Sequence, residues 1–290
     1  MANGLALRAR LSGAECWLSE ERSGPLPDAA SRFSGVAGRY DAVRPRPPED
    51  LIEVITQWSG VDRPDVVDLG AGTGLSAVVW AGRARQVTAV EPSGGMRRAA
   101  ERRIGALPAG PGTRFVLVDA TAEDTGLPDG CADVVTASQA MHWFEPDRAL
   151  PEIARLLRPG GVLAAYDCDW PPGIDGETGA AWDEMARLVD AEQARRGIPE
   201  AHCGKDHLGR LRASGLFRHC AEIAVHGRDQ GDADRLVALA LSAMACASGF
   251  LADGCSEEEL GVTALRAVAA RRETRSRTWW WTYRLHLAVR

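Results

Sequence analysis

Val66-Val67-Asp68-Leu69-Gly70-Ala71-Gly72-Thr73-Gly74 is a short apolar run that breaks into alternating glycines. It reads as a buried strand entering a tight turn, with a helix following through Leu75 to Trp80. Glycine is required where the backbone turns sharply and approaches a ligand with no Cβ in the way. The turn by itself could serve a dinucleotide, a phosphate or nothing at all. Its spacing is Gly-x-Gly-x-Gly, neither the Gly-x-Gly-x-x-Gly of dinucleotide sites nor a loop ending in Gly-Lys-Ser/Thr. Asp68, two residues before the first glycine, would repel a pyrophosphate and could hold an ammonium group directly or through water. Glu91 closes the next strand, where a carboxylate can accept hydrogen bonds from both hydroxyls of a ribose. An adenosine joined to an amino acid fits all three features.

Outward from this turn, short apolar runs alternate with helical stretches, the mark of parallel β/α units. Strands are expected at Asp65–Leu69, Gln86–Val90, Thr113–Val118, Ala132–Ala137 and Gly161–Tyr166. The acids of Glu49-Asp50-Leu51-Ile52, just after Pro45, Pro47 and Pro48, open a helix running to about Ser59. A second helix is expected at Asp147–Leu157, stopped by Arg158-Pro159-Gly160-Gly161. Residues 172 to about 215 are mainly helical. A strand at His219–His226 and two helices near 233–250 and 256–272 follow. The chain closes on Trp279–Val289, where Trp281, Tyr283, Leu285, Leu287 and Val289 alternate on one face of a half-buried strand.

The chain has 290 residues, enough for one large domain with an insertion or a small lid. A net charge of -6 argues against a nucleic-acid partner held by phosphate neutralisation. The basic clusters, such as Arg97-Arg98 and Arg102-Arg103, read as solvated faces. Seven cysteines without a CxxC spacing cannot all pair within one chain, which favours a reducing compartment. The first twenty residues lack the apolar core of a signal peptide, and no stretch approaches the length of a membrane span. A soluble, cytoplasmic protein with no membrane partner is expected.

These motifs together resemble the class I S-adenosylmethionine-dependent methyltransferases, in the broad bacterial group of small-molecule enzymes related to the ubiquinone-biosynthesis and trans-aconitate methyltransferases. The resemblance runs from about Phe33 to the C-terminus and is strongest from Val66 to Trp170. It implies an α/β fold, a Rossmann-like doubly wound seven-stranded mixed sheet with a helical lid insertion, and S-adenosyl-L-methionine as cofactor. Asp68, Gly70, Ala71, Gly72 and Gly74 would cradle that cofactor and Glu91 would take the ribose, with Pro92 and Met96 beside the adenine. In Asp119–Pro128, Ala122 and Glu123 would meet the adenine edge through the backbone, and Thr121 stands where the family often has Asp. Arg39-Tyr40-Asp41-Ala42-Val43-Arg44-Pro45 resembles the family's Tyr-Asp-x-x-Arg-Pro segment, which implies that Tyr40 reaches the methionine carboxylate. Arg46-Pro47 replaces the usual Tyr-Pro continuation.

The implied organisation is an N-terminal extension or flap over 1–32, a cofactor-binding core over 33–170, a helical lid over 171–217, and the rest of the core over 218–290. The acceptor, a small molecule, should lie outside the C-terminal strand ends, beside the turn Ser138-Gln139-Ala140-Met141-His142-Trp143-Phe144. Ser138 and Gln139 are expected against the cofactor and Trp143 as a pocket wall. His142 is a candidate base or orienting hydrogen bond, or else a histidine packed beneath the lid. Tyr166, Asp167 and Asp169 end the fifth strand and could contact an acceptor, or could pack there. His202, Cys203 and His207 could form part of a metal site, but a fourth ligand is not evident and no metal is expected. Methyl transfer is the expected reaction. A cyclisation or rearrangement using the same cofactor, and a non-enzymatic cofactor-binding scaffold, are the alternatives.

Overall fold

The computed structural model describes residues 43–108, 112–198, 206–272 and 275–290. The expected N-terminal flap, Tyr40, His202 and Cys203 therefore lie outside the described residues. Seven strands form one sheet: β1 Asp65–Leu69, β2 Gln86–Val90, β3 Arg114–Val118, β4 Ala132–Ser138, β5 Leu157–Cys168, β6 His219–Gly231 and β7 Arg277–Val289. Their order is β3-β2-β1-β4-β5-β7-β6. The first five are mutually parallel wherever they pair, and β7 runs antiparallel to both β5 and β6. The parallel half follows the alternation of apolar runs, and the whole is the doubly wound seven-stranded mixed sheet that the family resemblance implies.

Every residue of β1 is buried, as befits a central parallel strand covered on both faces. Successive side chains point to opposite faces, so Val66 joins one apolar core and Val67 the other. Helix α1, Glu49–Ser59, packs Leu51, Ile52 and Ile55 into the first core. Its acids Glu49 and Asp50 sit in the first turn, where the helix dipole favours them, and Gly60 ends it in the left-handed conformation, φ 65°. Helix α2, Gly94–Gly105, connects β2 to β3. Helix α3, Pro146–Leu156, buries Leu150 and Ile153 in the second core.

Two local expectations need correcting. The glycine turn leads into a 3-10 turn, Ala77–Trp80, and no α-helix forms there. Gly74 (φ 80°) and Gly82 (φ 77°) bracket too short a segment for α-helical turns to propagate, and Val78 and Val79 are β-branched. Arg158-Pro159-Gly160-Gly161 forms the start of β5 itself, since α3 already ends at Leu156. Proline biases the preceding Arg158 toward extended backbone, which feeds the strand directly.

Between β5 and β6 lie α4, Gly176–Arg195, and α5, His207–Ala213. The Asp175 carboxylate caps α4 by accepting from the Glu177 and Thr178 N–H groups. Trp182, Met185 and Val189 of α4 pack into the first core, together with residues of α6 Ala233–Ala243, α7 Ala245–Ala252 and α8 Val262–Arg272. Leu211 of α5 packs into the second. These helices thus clothe the two faces of the sheet. Among the described residues, no single helix is long and apolar enough to cross a membrane.

Candidate functional site

The C-terminal ends of β1, β2 and β4 open into a cleft of about 440 Å³, within the roughly 300–1,000 Å³ common for small-molecule sites. The glycine turn forms its floor. Gly70 and Gly72 hold φ of 63° and 56°, a left-handed conformation that glycine adopts freely. A Cβ at Gly70 would stand 2.8 Å from the Ala140 Cβ, whereas one at Gly72 would meet nothing within 4 Å and would project into open space.

Beneath the turn, Asp68 is fully buried. The hydroxyls of Ser76 and Thr136 donate to its two oxygens at 2.5 and 2.6 Å. The sheet register sets Thr136 opposite Asp68 on the adjoining strand. Burial pushes the Asp68 carboxyl up to about 6 against the pull of those two hydrogen bonds. Ser76 also lines the cleft, so its hydroxyl links the buried carboxyl to the ligand space.

Glu91 stands at the cleft wall with both oxygens fixed. The Gly72 N–H donates to Oε2 at 2.9 Å and the Ser93 N–H to Oε1 at 2.8 Å. Burial raises its pKa, opposed by those two backbone bonds and by Arg97. Arg97 in turn donates to the Glu91 and Pro92 carbonyls at 2.7 Å and pairs with Asp119, bracing the turn after β2. The 121–128 loop is braced from α3, where Glu152 accepts from the Thr125 N–H and hydroxyl. The Arg155 guanidinium, with help from those bonds, holds the Glu152 carboxyl down to about 2. Gln139 sits at φ 53°, left-handed for a residue with a Cβ, a conformation that concentrates at functional sites. Its N–H donates to the Tyr166 carbonyl, and its side-chain amide meets the Cys168 sulfur at 3.0 Å.

Residues 67–165 match the model of the methyltransferase domain family. An uncharacterized methyltransferase of Mycobacterium tuberculosis is 37% identical over 136 residues, 47% of this chain and 51% of its own length. A malonyl-[acyl-carrier protein] O-methyltransferase of Serratia marcescens is 31% identical over 157 residues, 54% and 58% of the two chains. The chain thus spans a little over half the length of these curated relatives. A solved structure from Anaeromyxobacter dehalogenans, described as a type II methyltransferase, superposes with a TM-score of 0.61 at 28% identity, covering 85% of this chain and 97% of that one. Over residues 67–165 the chain carries a methyltransferase domain.

Within this methyltransferase domain, the cleft gathers most of the residues singled out for cofactor contact. Gly70, Ala71, Gly72, Glu91, Pro92 and Met96 line it, as do Thr121, Ala122, Glu123, Ser138 and Gln139. Gly74 and Asp68 stand behind the lining, Asp68 reaching it only through Ser76. On the acceptor side Trp143 lines the cleft, whereas His142, Tyr166 and Asp169 do not. Tyr166 is 1% exposed in the first core, and burial pushes its phenol well up. Asp169 is the residue after the cleft-lining Cys168 and pairs with Arg284 at 2.9 Å. His142 turns away toward Asp167. No described residue of 171–217 lines the cleft, so the covering role expected of that stretch has no contact there to support it.

The fold also brings to the cleft residues that sequence reasoning passed over: Arg44, Ser76, Phe144, Arg148, Cys168 and Tyr283. Arg44 is held by the Ser242 hydroxyl and carbonyl, and its guanidinium lies 4.8 Å from the Trp170 ring centre. The Tyr283 hydroxyl donates to the Arg46 carbonyl at 3.0 Å. Ser76 was the one with a signal, because a buried carboxylate at Asp68 demands nearby donors.

Proposed function

We propose that the domain binds S-adenosylmethionine in this cleft and passes its methyl group to a small-molecule acceptor. The observation that carries the reading is the Glu91 carboxylate. Backbone N–H groups take one lone pair on each oxygen, and each oxygen keeps another for a ribose hydroxyl. The fit extends to the floor, where the bare Gly72 faces open space and could admit the ligand backbone. When bound, the sulfonium supplies an electrophilic methyl group, released as the sulfur keeps the bonding pair. The chain's part is to hold the acceptor in line and exclude water, with Trp143 and Phe144 as apolar walls. His142 lies off the cleft lining, so the proton lost by a protic acceptor has no base among the residues first named for that task.

Calorimetry of the full chain with S-adenosylmethionine and S-adenosylhomocysteine tests the reading. One saturable site per chain is expected, with binding lost in Gly72→Val, where a β-branched side chain at positive φ would fill the cradle. A folded wild-type protein that binds neither compound, or a Gly72→Val variant that binds both unchanged, would overturn it. Acceptor screening then follows formation of a methylated product together with S-adenosylhomocysteine.

Asp68 gives a second prediction. A ligand ammonium at Ser76 favours the ionised carboxyl, so binding below about pH 6 must expel a proton. Affinity should therefore fall as pH drops through 6, approaching tenfold per pH unit. Asp68→Asn should flatten that profile. The same buried carboxyl also works against the empty fold. Its folded pKa lies above the ordinary aspartate value of 3.8, so the native state holds a proton that the unfolded chain has released. Stability then falls as pH rises from about 4 to 6, by about 3 kcal/mol in all, and the penalty stays constant above. Asp68→Asn should be the more stable protein at pH 7, measured by urea unfolding. A variant less stable than wild type at pH 7, or wild-type affinity flat from pH 5 to 7, would contradict this account.

A further inference from the structure

Behind the cleft wall, three elements converge on one carboxylate. Asp167 of β5 places Oδ1 3.6 Å from His142 Nδ1 and Oδ2 3.2 Å from His207 Nε2. His142 stands on the 3-10 turn Met141–Trp143 after β4, and His207 is the first residue of α5. The His207 side chain is 1% exposed and those of His142 and Asp167 are 9% and 10% exposed, so water has little access. One ligand atom from each residue lies within 4.8 Å of the other two. Donors bound at about 2.05 Å to one tetrahedral ion stand about 3.3 Å from each other, and each imidazole nitrogen stands near that spacing from one Asp167 oxygen, His142 from Oδ1 and His207 from Oδ2. A third imidazole, His286, packs edge-to-face on His207 at 5.3 Å and faces Glu222 on its other side. It therefore walls the cluster and takes no part in ligation.

We propose that His142, Asp167 and His207 bind a divalent transition-metal ion of the zinc class. Two neutral imidazoles and one carboxylate form a donor set suited to zinc and its neighbours and poorly suited to calcium or magnesium. The ligands are spread over the β4 turn, β5 and α5. An ion here would therefore pin the turn that carries Trp143 to the sheet end beside Cys168. Its role is to hold the cleft wall in shape. This departs from the expectation, drawn from spacing in the sequence, that no metal is bound. The site does not depend on which ligand occupies the cleft.

The test uses the purified full chain, stripped with a chelator and titrated with Zn²⁺ against a chromophoric competitor. Co²⁺ serves as a second probe through its visible absorption. One ion per chain is expected, with a tetrahedral Co²⁺ spectrum and a rise in melting temperature at saturation. His207→Ala and Asp167→Asn should each weaken binding by about 100-fold or more, since loss of a mere outer partner already costs about 10- to 100-fold. The surface variant His226→Gln should bind as wild type does. His142→Ala, at a ligand more exposed than His207, serves if His207→Ala fails to fold. Wild-type protein that takes up no stoichiometric ion, or binding that survives in the ligand variants, would overturn the proposal and leave a buried ion-paired network.

Discussion

Glu91→Ala will weaken S-adenosylmethionine binding by about 100-fold. Two hydrogen bonds from ribose hydroxyls to a carboxylate are worth roughly 1.5–3 kcal/mol each. A combined loss near 3 kcal/mol corresponds to about two decades in affinity. Glutamine will not rescue the loss, because both oxygens of Glu91 already face backbone donors, Gly72 N–H and Ser93 N–H. An amide in that place must aim its own NH₂ at one of them. Stability should change far less than affinity, because removing the carboxylate costs two backbone acceptors but also relieves the burial that raises its pKa. Calorimetry paired with thermal melts separates the two effects. An affinity within threefold of wild type in well-folded Glu91→Ala would remove the ribose role.

Gly231→Ala will have the largest effect on stability. Gly231 ends β6, and a Cβ there would collide with Cε2 and Cζ2 of the Trp279 indole. The indole lies across the bare glycine and is fully buried, with the Arg235 guanidinium 5.2 Å from its ring centre. Arg235 is itself tied to the Val43 carbonyl and to Asp229, so the ring has no free direction in which to yield. Overpacking of this kind costs up to about 3 kcal/mol or more, visible as a fall in the urea midpoint or as insoluble expression. Gly179→Ala supplies the contrast. It sits inside α4 with nothing within 4 Å of a new methyl group, and should gain about 0.5–1 kcal/mol from helix propensity. Equal stability of the two variants would refute the packing account.

The sheet and the cofactor side of the cleft were legible in the sequence because both are written locally. Apolar runs of five residues bounded by turn residues gave β1 and β2 to the residue, and the glycine turn carries its own backbone requirement. The acceptor side was read less well, for two physical reasons. Strand β5 continues to Cys168, two residues beyond the apolar run that marks it. The strand's contribution to the cleft is thus Cys168, and Tyr166 falls back into the core. The turn after β4 is a single 3-10 turn, which sends three consecutive side chains in different directions: Met141 inward, His142 to Asp167, and Trp143 to the cleft. His207, which completes that cluster, is 40 residues from Asp167 in the chain, and only the folded topology brings them together. The same holds for Arg44 and Tyr283, which reach the cleft from opposite ends of the described chain.

The place of β7 bears on how the molecule assembles. Strand β6 joins the sheet only through β7, and β7 pairs with β5 in a register that sets Val162 against Val289. Closing so long an intervening loop costs entropy before any pairing rewards it, and such contacts form late. The parallel half, with its short-range β/α connections, can organise first. Until β7 docks, β5 presents an open row of unpaired backbone groups, a template on which a second chain can pair. Refolding yield should therefore drop as protein concentration rises, and the species lost should be intermolecular aggregates seeded at that temporary edge.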